Sequence, residues 1–213
     1  MSLPILIIGA GGHGRVVADL IRARGGDLKG FLDQDNALHD QQVAGVPVLG
    51  NDHLLSTFAP GDVTLANGVG AVASLATRTQ LFTRLTAAGY VFDALIHPRS
   101  IVSASATVSA GAQVMAGAIV QAGAQISENA IINTGATVDH DCRVGSHVHV
   151  APGVILCGNV QLGEGCYVGA GSTIIQGVRV GAGAFIAAGS VVVADVAAAA
   201  RVAGLPAKDM GSR

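Results

Sequence analysis

Every sixth residue from Val102 to Val192 is Val, Ile or Leu, sixteen positions without an exception. Four places after each stands Ala, Cys, Ser or Val, and three places after stands Gly, Asn or Asp in fourteen cases, Ser105 and His147 being the exceptions. One aliphatic position, one small position and one residue tolerant of positive φ in every six describe short strands joined by tight turns, a chain that winds as a parallel β-helix. The preceding hundred residues have another grammar. Ile5–Ile8 reads as a buried strand, followed by a glycine turn and a helix with Val16, Val17, Leu20 and Ile21 on one side. "GFLDQD" reads as a second strand ending in acid and "VTLANG" as a later strand; "SLATRTQLFTRLTAAG" reads as a helix carrying Leu75, Leu81, Phe82 and Leu85 before a glycine stop. Alternating strands and helices imply a small parallel sheet. The boundary falls near "IHPRS", dividing the chain into an α/β domain over residues 1–96 and a β-helix over 97–213.

Composition sharpens this picture. Aromatics are 3% and charged residues 12% of the chain, whereas glycine numbers 30, so the core is aliphatic and the backbone rich in turns. A net charge of −2 and only two lysines, Lys29 and Lys208, offer no basic face for a nucleic acid. The start "MSLPILIIGAGG" lacks the marks of a signal peptide and no eighteen-residue window is uninterruptedly apolar, so a soluble cytoplasmic protein without a membrane partner is expected. Cys142, Cys157 and Cys166 form neither a disulfide framework nor a zinc ribbon.

The hexapeptide period resembles the left-handed parallel β-helix of bacterial acyltransferases. The resemblance supplies the handedness, which general crossover rules would not favour. It also implies a homotrimer, in which flat sides of the prism pair around a threefold axis. Three hexads make one triangular coil, so residues eighteen apart stand above one another at roughly 4.8 Å spacing.

Ionisable groups gather in "ATVDHDCRVGSHVHVAPG", residues 136–153. His140 takes the third place of its hexad, in one column with Gly158 and Gln176; His149 takes the sixth place of the next. Neither place is interior, so both should project from a corner or face. Asp141 fills the turn slot beside His140. A neighbouring carboxylate favours the protonated imidazole and raises its basicity, which suits a general base. A solvated surface histidine is the structural alternative, and His147, in a turn slot, is read that way.

"INTGATVDHDCRVGSHVHVAPGVILCGNV" is similar to the core motif of the NeuD-like sugar acyltransferases, which include sugar-nucleotide N-acetyltransferases of the bacillosamine and perosamine pathways. "FLD", "IHP" and the closing "AGLPAK" extend the similarity over essentially the whole chain. The resemblance implies His140 as catalytic base tuned by Asp141, His149 near the acetyl-CoA thioester, a Gly158 N–H facing the acetyl carbonyl, Ala170 and Ala188 beside the pantetheine arm, and Lys208 near a CoA phosphate. Acyl transfer from a thioester needs a proton acceptor and an oxyanion donor but no covalent enzyme intermediate. No metal is expected.

"GAGGHG" fits G-x-G-x-x-G through Gly9, Gly11 and Gly14 between a strand and a helix, with Asp33 nineteen residues beyond Gly14. Fewer than a hundred residues make only a Rossmann-like half domain, enough for a sugar nucleotide. In the resembling enzymes this loop and the acid after the second strand hold diphosphate and nucleoside. The expected contacts are therefore Gly11, Gly12, His13 and Asp33, with Gln34 where a second acid is common, and Gly68 and Arg78 as further positions. The expected reaction is acetyl-CoA-dependent N-acetylation of a nucleotide-linked amino sugar, a 4-amino-4,6-dideoxyhexose. The alternatives are sugar O-acetylation, a γ-carbonic-anhydrase-like zinc site built from His140, His147 and His149, and a non-catalytic nucleotide-binding scaffold.

Overall fold

The computed structural model describes residues 3–71 and 75–211; Ser74, placed by its pattern in the second helix, lies outside them. The chain divides into two compact units, Met1–Pro98 and Arg99–Arg213.

In the first unit the strands are β1 (Ile5–Ile8), β2 (Leu28–Leu32), β3 (Gln42–Val43), β4 (Val46–Gly50) and β5 (Thr64–Asn67), with helices α1 (Gly12–Ala23) and α2 (Ala76–Ala87). The sheet order is β3-β4-β2-β1-β5, parallel except for the β3–β4 pair. All four residues of β1 are buried, as a central parallel strand covered on both faces requires. The hairpin of β3 and β4 was not legible in the hydrophobic pattern. Helix α1 buries Gly14, Val17, Ala18, Leu20 and Ile21 but leaves Val16 44% exposed. The stripe runs through 14, 17, 18 and 21, and Val16 stands one residue's rotation off it. Helix α2 buries Leu81, Phe82 and Leu85, and also Arg78.

The second unit is a triangular prism of two-residue strands. Its first face stacks Ile101–Val102, Ile119–Val120, Thr137–Val138, Ile155–Leu156, Thr173–Ile174 and Val191–Val192. Its second stacks Thr107–Val108, Gln125–Ile126, Arg143–Val144, Gln161–Leu162 and Arg179–Val180. Its third contains Gln113–Val114, Ile131–Ile132, His149–Val150, Tyr167–Val168, Phe185–Ile186 and Arg201–Ala203. Strands pair in register with those eighteen residues on, as Thr137 with Ile155 and His149 with Tyr167, until the last pair of the third face, where Phe185 meets Arg201 only sixteen residues on. The aliphatic places from Val114 to Val192 point inward and are buried, while Val102 and Val108 in the first coil are only half-buried.

Positive φ is found at the fourth place of every hexad turn from Gly111 to Gly189, including Asn129 (55°), Asp141 (59°), His147 (61°) and Asn159 (58°). His147 therefore obeys the turn geometry that its residue type had marked as an exception. Its imidazole Nδ1 accepts from Asn129 Nδ2 at 2.9 Å, one coil back, which offsets the strain of a left-handed residue. Ser105 and Asp195 lie outside that region, so the regular turns stop short of both ends of the repeat. Among the described residues no helix is long and apolar enough to cross a membrane.

Leu156 is fully buried in the prism core. Leu156→Ala should lower unfolding free energy by about 2–5 kcal/mol, whereas Gln161→Ala, on the outer face, should change it by less than about 0.5 kcal/mol, both read by urea denaturation.

Candidate functional site

The corner between the first and second faces carries His140. Its imidazole is exposed, and Nδ1–H donates to Asp141 Oδ2 at 2.9 Å. A carboxylate acceptor fixes the proton on Nδ1 and leaves the lone pair on Nε2. Asp139 holds the main chain of the same turn, its Oδ1 accepting the His140 N–H at 2.8 Å. The Asp141 hydrogen bond, and then the charge of Asp139, raise the imidazole pKa above its ordinary value. One coil on, Gly158 lies buried against the ring: a Cβ there would stand 2.6 Å from His140 Nε2, so the ring keeps this position only over a glycine. Asn159 N–H donates to His140 O at 2.9 Å, tying the two coils together. Among the described residues none accepts a hydrogen bond from the Gly158 N–H. A basic nitrogen and a backbone donor thus share one corner.

His149 takes the outward place of its strand on the third face, with Val150 turned into the core, but it is covered there. It is 6% exposed, with Tyr167 of the next coil edge-on at a centroid distance of 5.3 Å. Tyr167 stacks on Phe185 at 5.2 Å, and Arg201 lies over Phe185 at 4.1 Å. Outward places on successive coils cover one another when their side chains are large. Asn133 Nδ2 reaches His149 Nε2 at 3.2 Å. Ala170 and Ala188 are exposed at the corner between the third and first faces, one coil apart, and Gly189 N–H donates to Ala170 O at 2.9 Å. Lys208 is exposed on a short strand antiparallel to Arg201–Ala203.

Cys142 and Cys166 are interior, and burial raises both thiols, Cys142 to about 11, which disfavours the thiolate that a nucleophile needs. Among the described residues no three His, Cys, Asp or Glu side chains converge to hold a metal ion; His140, His147 and His149 stand on two corners and a face.

In the first unit a cleft of about 430 Å³ opens at the carboxyl ends of β1 and β2, lined by Ile8, Gly9, Leu32, Asp33, Gln34, Asp52, Val69, Thr77, Gln80, Leu81 and Arg84. Asp33 and Gln34, the expected substrate contacts, both line it. Asp33 also has structural duties: Oδ2 accepts the Ala10 N–H at 2.6 Å and Oδ1 that of Asp35 at 2.9 Å, pinning the glycine loop to the end of β2. Gly11, Gly12 and His13 form the open start of α1, where Gly11 caps the helix without a side chain, and none of the three lines the cleft. Gly14 and Gly68 serve close packing, since a Cβ on either would meet Gly9 O at 2.1 and 2.2 Å.

Arg78 corrects its expected role. It is 1% exposed and does not line the cleft; Nη1 donates to Asn67 O at 3.0 Å and Val69 O at 2.9 Å, and burial lowers its pKa to about 9. It clamps the segment after β5 that forms one wall of the cleft. The sequence reading missed Asp52 and the wall of α2. Thr77, Gln80, Leu81 and Arg84 follow the i, i+3, i+4, i+7 rule, a stripe that could have been read from the helix. Asp52, which accepts from Arg84 Nη2 at 2.8 Å, follows β4 and had no such signal.

Residues 4–85 match the PglD N-terminal domain, and residues 159–194 match six repeats of the bacterial transferase hexapeptide. The acetyltransferase domain of PglB from Neisseria gonorrhoeae, also solved with acetyl coenzyme A, superposes with a TM-score of 0.91 at 38% identity, over 98% of this chain and 100% of that one. PerB from Caulobacter crescentus, solved with CoA and GDP-perosamine, superposes with a TM-score of 0.90 at 38% identity, over 99% of this chain and 100% of its own. WeeI from Acinetobacter baumannii is more distant, at 25% identity and a TM-score of 0.79 over 98% of this chain and 100% of that one.

Asp141→Asn should lower the pKa of His140 towards that of a free imidazole, the direction being set by the loss of the raising hydrogen bond and charge. An NMR pH titration of the His140 ring protons reads this directly. Gly158→Ala should push the ring out of the corner, moving the same resonances while the fold persists.

Proposed function

The chain belongs to the NeuD-like hexapeptide-repeat sugar acyltransferases, and from that premise we propose that it transfers the acetyl group of acetyl-CoA to the amino group of a nucleotide-linked sugar, a 4-amino-4,6-dideoxyhexose. The observation that carries the reading is the corner where the Nε2 lone pair of His140, set by Asp141, lies against Gly158. An amine attacking the thioester carbonyl forms a C–N bond and puts negative charge on the carbonyl oxygen. The Gly158 N–H is the donor for that oxygen. Nε2 takes the proton the nitrogen loses, the C–S bond breaks, and the departing CoA thiolate is protonated in turn. The neighbours PglB and PerB, with their acetyl-CoA, CoA and GDP-perosamine complexes, support both co-substrates. We assign the nucleotide to the cleft of the first unit, with Asp33 and Gln34 at its wall and the start of α1 for the diphosphate.

The functional assembly in this reading is a homotrimer. The outward column of the first face, Ile101, Ile119, Thr137, Ile155, Thr173 and Val191, is uncharged along the whole prism, with Ile101 65% and Ile155 45% exposed. The matching column of the second face carries Arg143 and Arg179. An apolar face of this length favours burial against copies of itself. Three such faces around an axis bring the His140 corner of one protomer beside the opposite corner of the next. There Ala170 and Ala188 would meet the pantetheine arm and His149 the acyl end, while Lys208 would meet a CoA phosphate. We place the reaction in the cytoplasm, where reduced cysteines persist.

The protein incubated with acetyl-CoA and UDP-, GDP- and dTDP-linked 4-amino sugars should release thiol and yield an N-acetylated product. Acetylation of a hydroxyl on a sugar such as sialic acid instead would assign the rival O-acetylation, and binding without thiol release a scaffold. His140→Asn should lose about 10²–10⁴-fold in turnover while keeping CoA affinity and the trimer; unchanged turnover would remove His140 as base. Mixed oligomers of His140→Asn with His149→Ala should regain activity that neither variant has alone, because some clefts then hold both native residues; no regain would exclude a shared cleft.

A further inference from the structure

Asn133 follows the third-face strand Ile131–Ile132 and stands half-buried beside His149. Its Oδ1 accepts the Thr134 N–H at 2.8 Å, with Thr134 Oγ1 at 3.4 Å, so the two ends of the amide are not interchangeable. Nδ2 is the end that reaches His149 Nε2 at 3.2 Å. An amide nitrogen only donates, so Nε2 must accept. A neutral imidazole with an accepting Nε2 carries its proton on Nδ1, and an imidazolium would set N–H against N–H. The ring is held in that pose, buried and edge-on to Tyr167. Among the described residues, the titratable or charged groups on its own face and the preceding turn include Tyr167 and, beyond Phe185, Arg201, with His147 held through Nδ1 by Asn129.

We propose that Asn133 is a positioning residue for the acyl-donor half of the reaction, locking His149 as the neutral tautomer protonated on Nδ1. The proposal rests on the acetyl-CoA reading above. It gives two histidines nine residues apart opposite preparations. His140 has a carboxylate on Nδ1 and an Nε2 able to take a proton. His149 has its one basic nitrogen occupied by an amide donor, so it can shape the acyl end of the site without competing for the proton.

The test is ¹⁵N NMR on histidine-labelled protein without ligands, the His149 signals assigned by their loss in His149→Gln. Wild type should show the Nδ1–H tautomer, unchanged across neutral pH. Asn133→Asp replaces a donor by an acceptor and should protonate Nε2, giving an imidazolium that persists to higher pH; Asn133→Ala should release a mixture of tautomers. In both variants the KM for acetyl-CoA should rise by about tenfold, the loss of one hydrogen bond's influence, with the KM for the nucleotide sugar unchanged. A wild-type His149 that carries its proton on Nε2, or titrates as a free imidazole, overturns the lock whatever the reaction is. A locked tautomer with unchanged acetyl-CoA KM in both variants overturns its part in the acyl-donor half. Because the NMR arm needs no turnover, failure of the lock and failure of the acetyltransferase reading are read separately.

Discussion

The backbone ladder between successive coils is the constraint on which everything in the second unit rests. Gly177 N–H reaches Gly158 O at 2.9 Å, Asn159 N–H reaches His140 O at 2.9 Å and Asp141 N–H reaches Ala122 O at 3.0 Å, so each coil is hung on the one before. A slip of one residue would turn every aliphatic side chain out of the core, which makes the register stiff. That stiffness brings His140 and Gly158 together with no shaping of either residue's own loop. It also ties the glycine to the ring's position, because the space a Cβ would need is filled by the imidazole.

The same column rule organises the polar chemistry. At the first corner it superposes acid, imidazole and backbone; on the third face it superposes His149, Tyr167 and Phe185 into a ladder that buries the histidine. Exposure and burial give the two imidazoles different duties. His140 is open to a reactant and biased towards basicity by its acids. His149 is enclosed and faces an amide whose orientation is set by a backbone N–H. In a solenoid the environment of a residue is decided by what stands one period away, so neighbours in sequence can be chemically remote.

Much of this was readable in the sequence because each coil must satisfy the same demand. The aliphatic place, the small place and the turn slot recur, and His140 with Asp141 stands out because an acid occupies a position that glycine usually fills. The burial of His149 was readable in principle from Tyr167 and Phe185, each eighteen residues further on, had the column been followed outward as well as inward. The first unit was harder. Its strands β1, β2 and β5 and both helices follow period and punctuation, but the cleft is made by tertiary approach. Arg78 looks like a surface helix residue and is buried because the segment after Asn67 folds over it. Asp33, read from the sequence as a substrate contact, lines the cleft, yet its bonds to Ala10 and Asp35 arise from packing between loop and strand that no local pattern encodes.

The central claim is that coil register, fixed by the ladder, presents the His140 Nε2 and the Gly158 N–H to the two ends of one reacting bond. A crystal structure of the protein with CoA and an unreacted nucleotide-linked 4-amino sugar tests it most directly. The account predicts the sugar's amine within about 3 Å of Nε2, the distance a general base requires, with the CoA sulfur beside the same corner. An amine bound out of reach of that nitrogen, or a CoA sulfur at another corner of the prism, would contradict it.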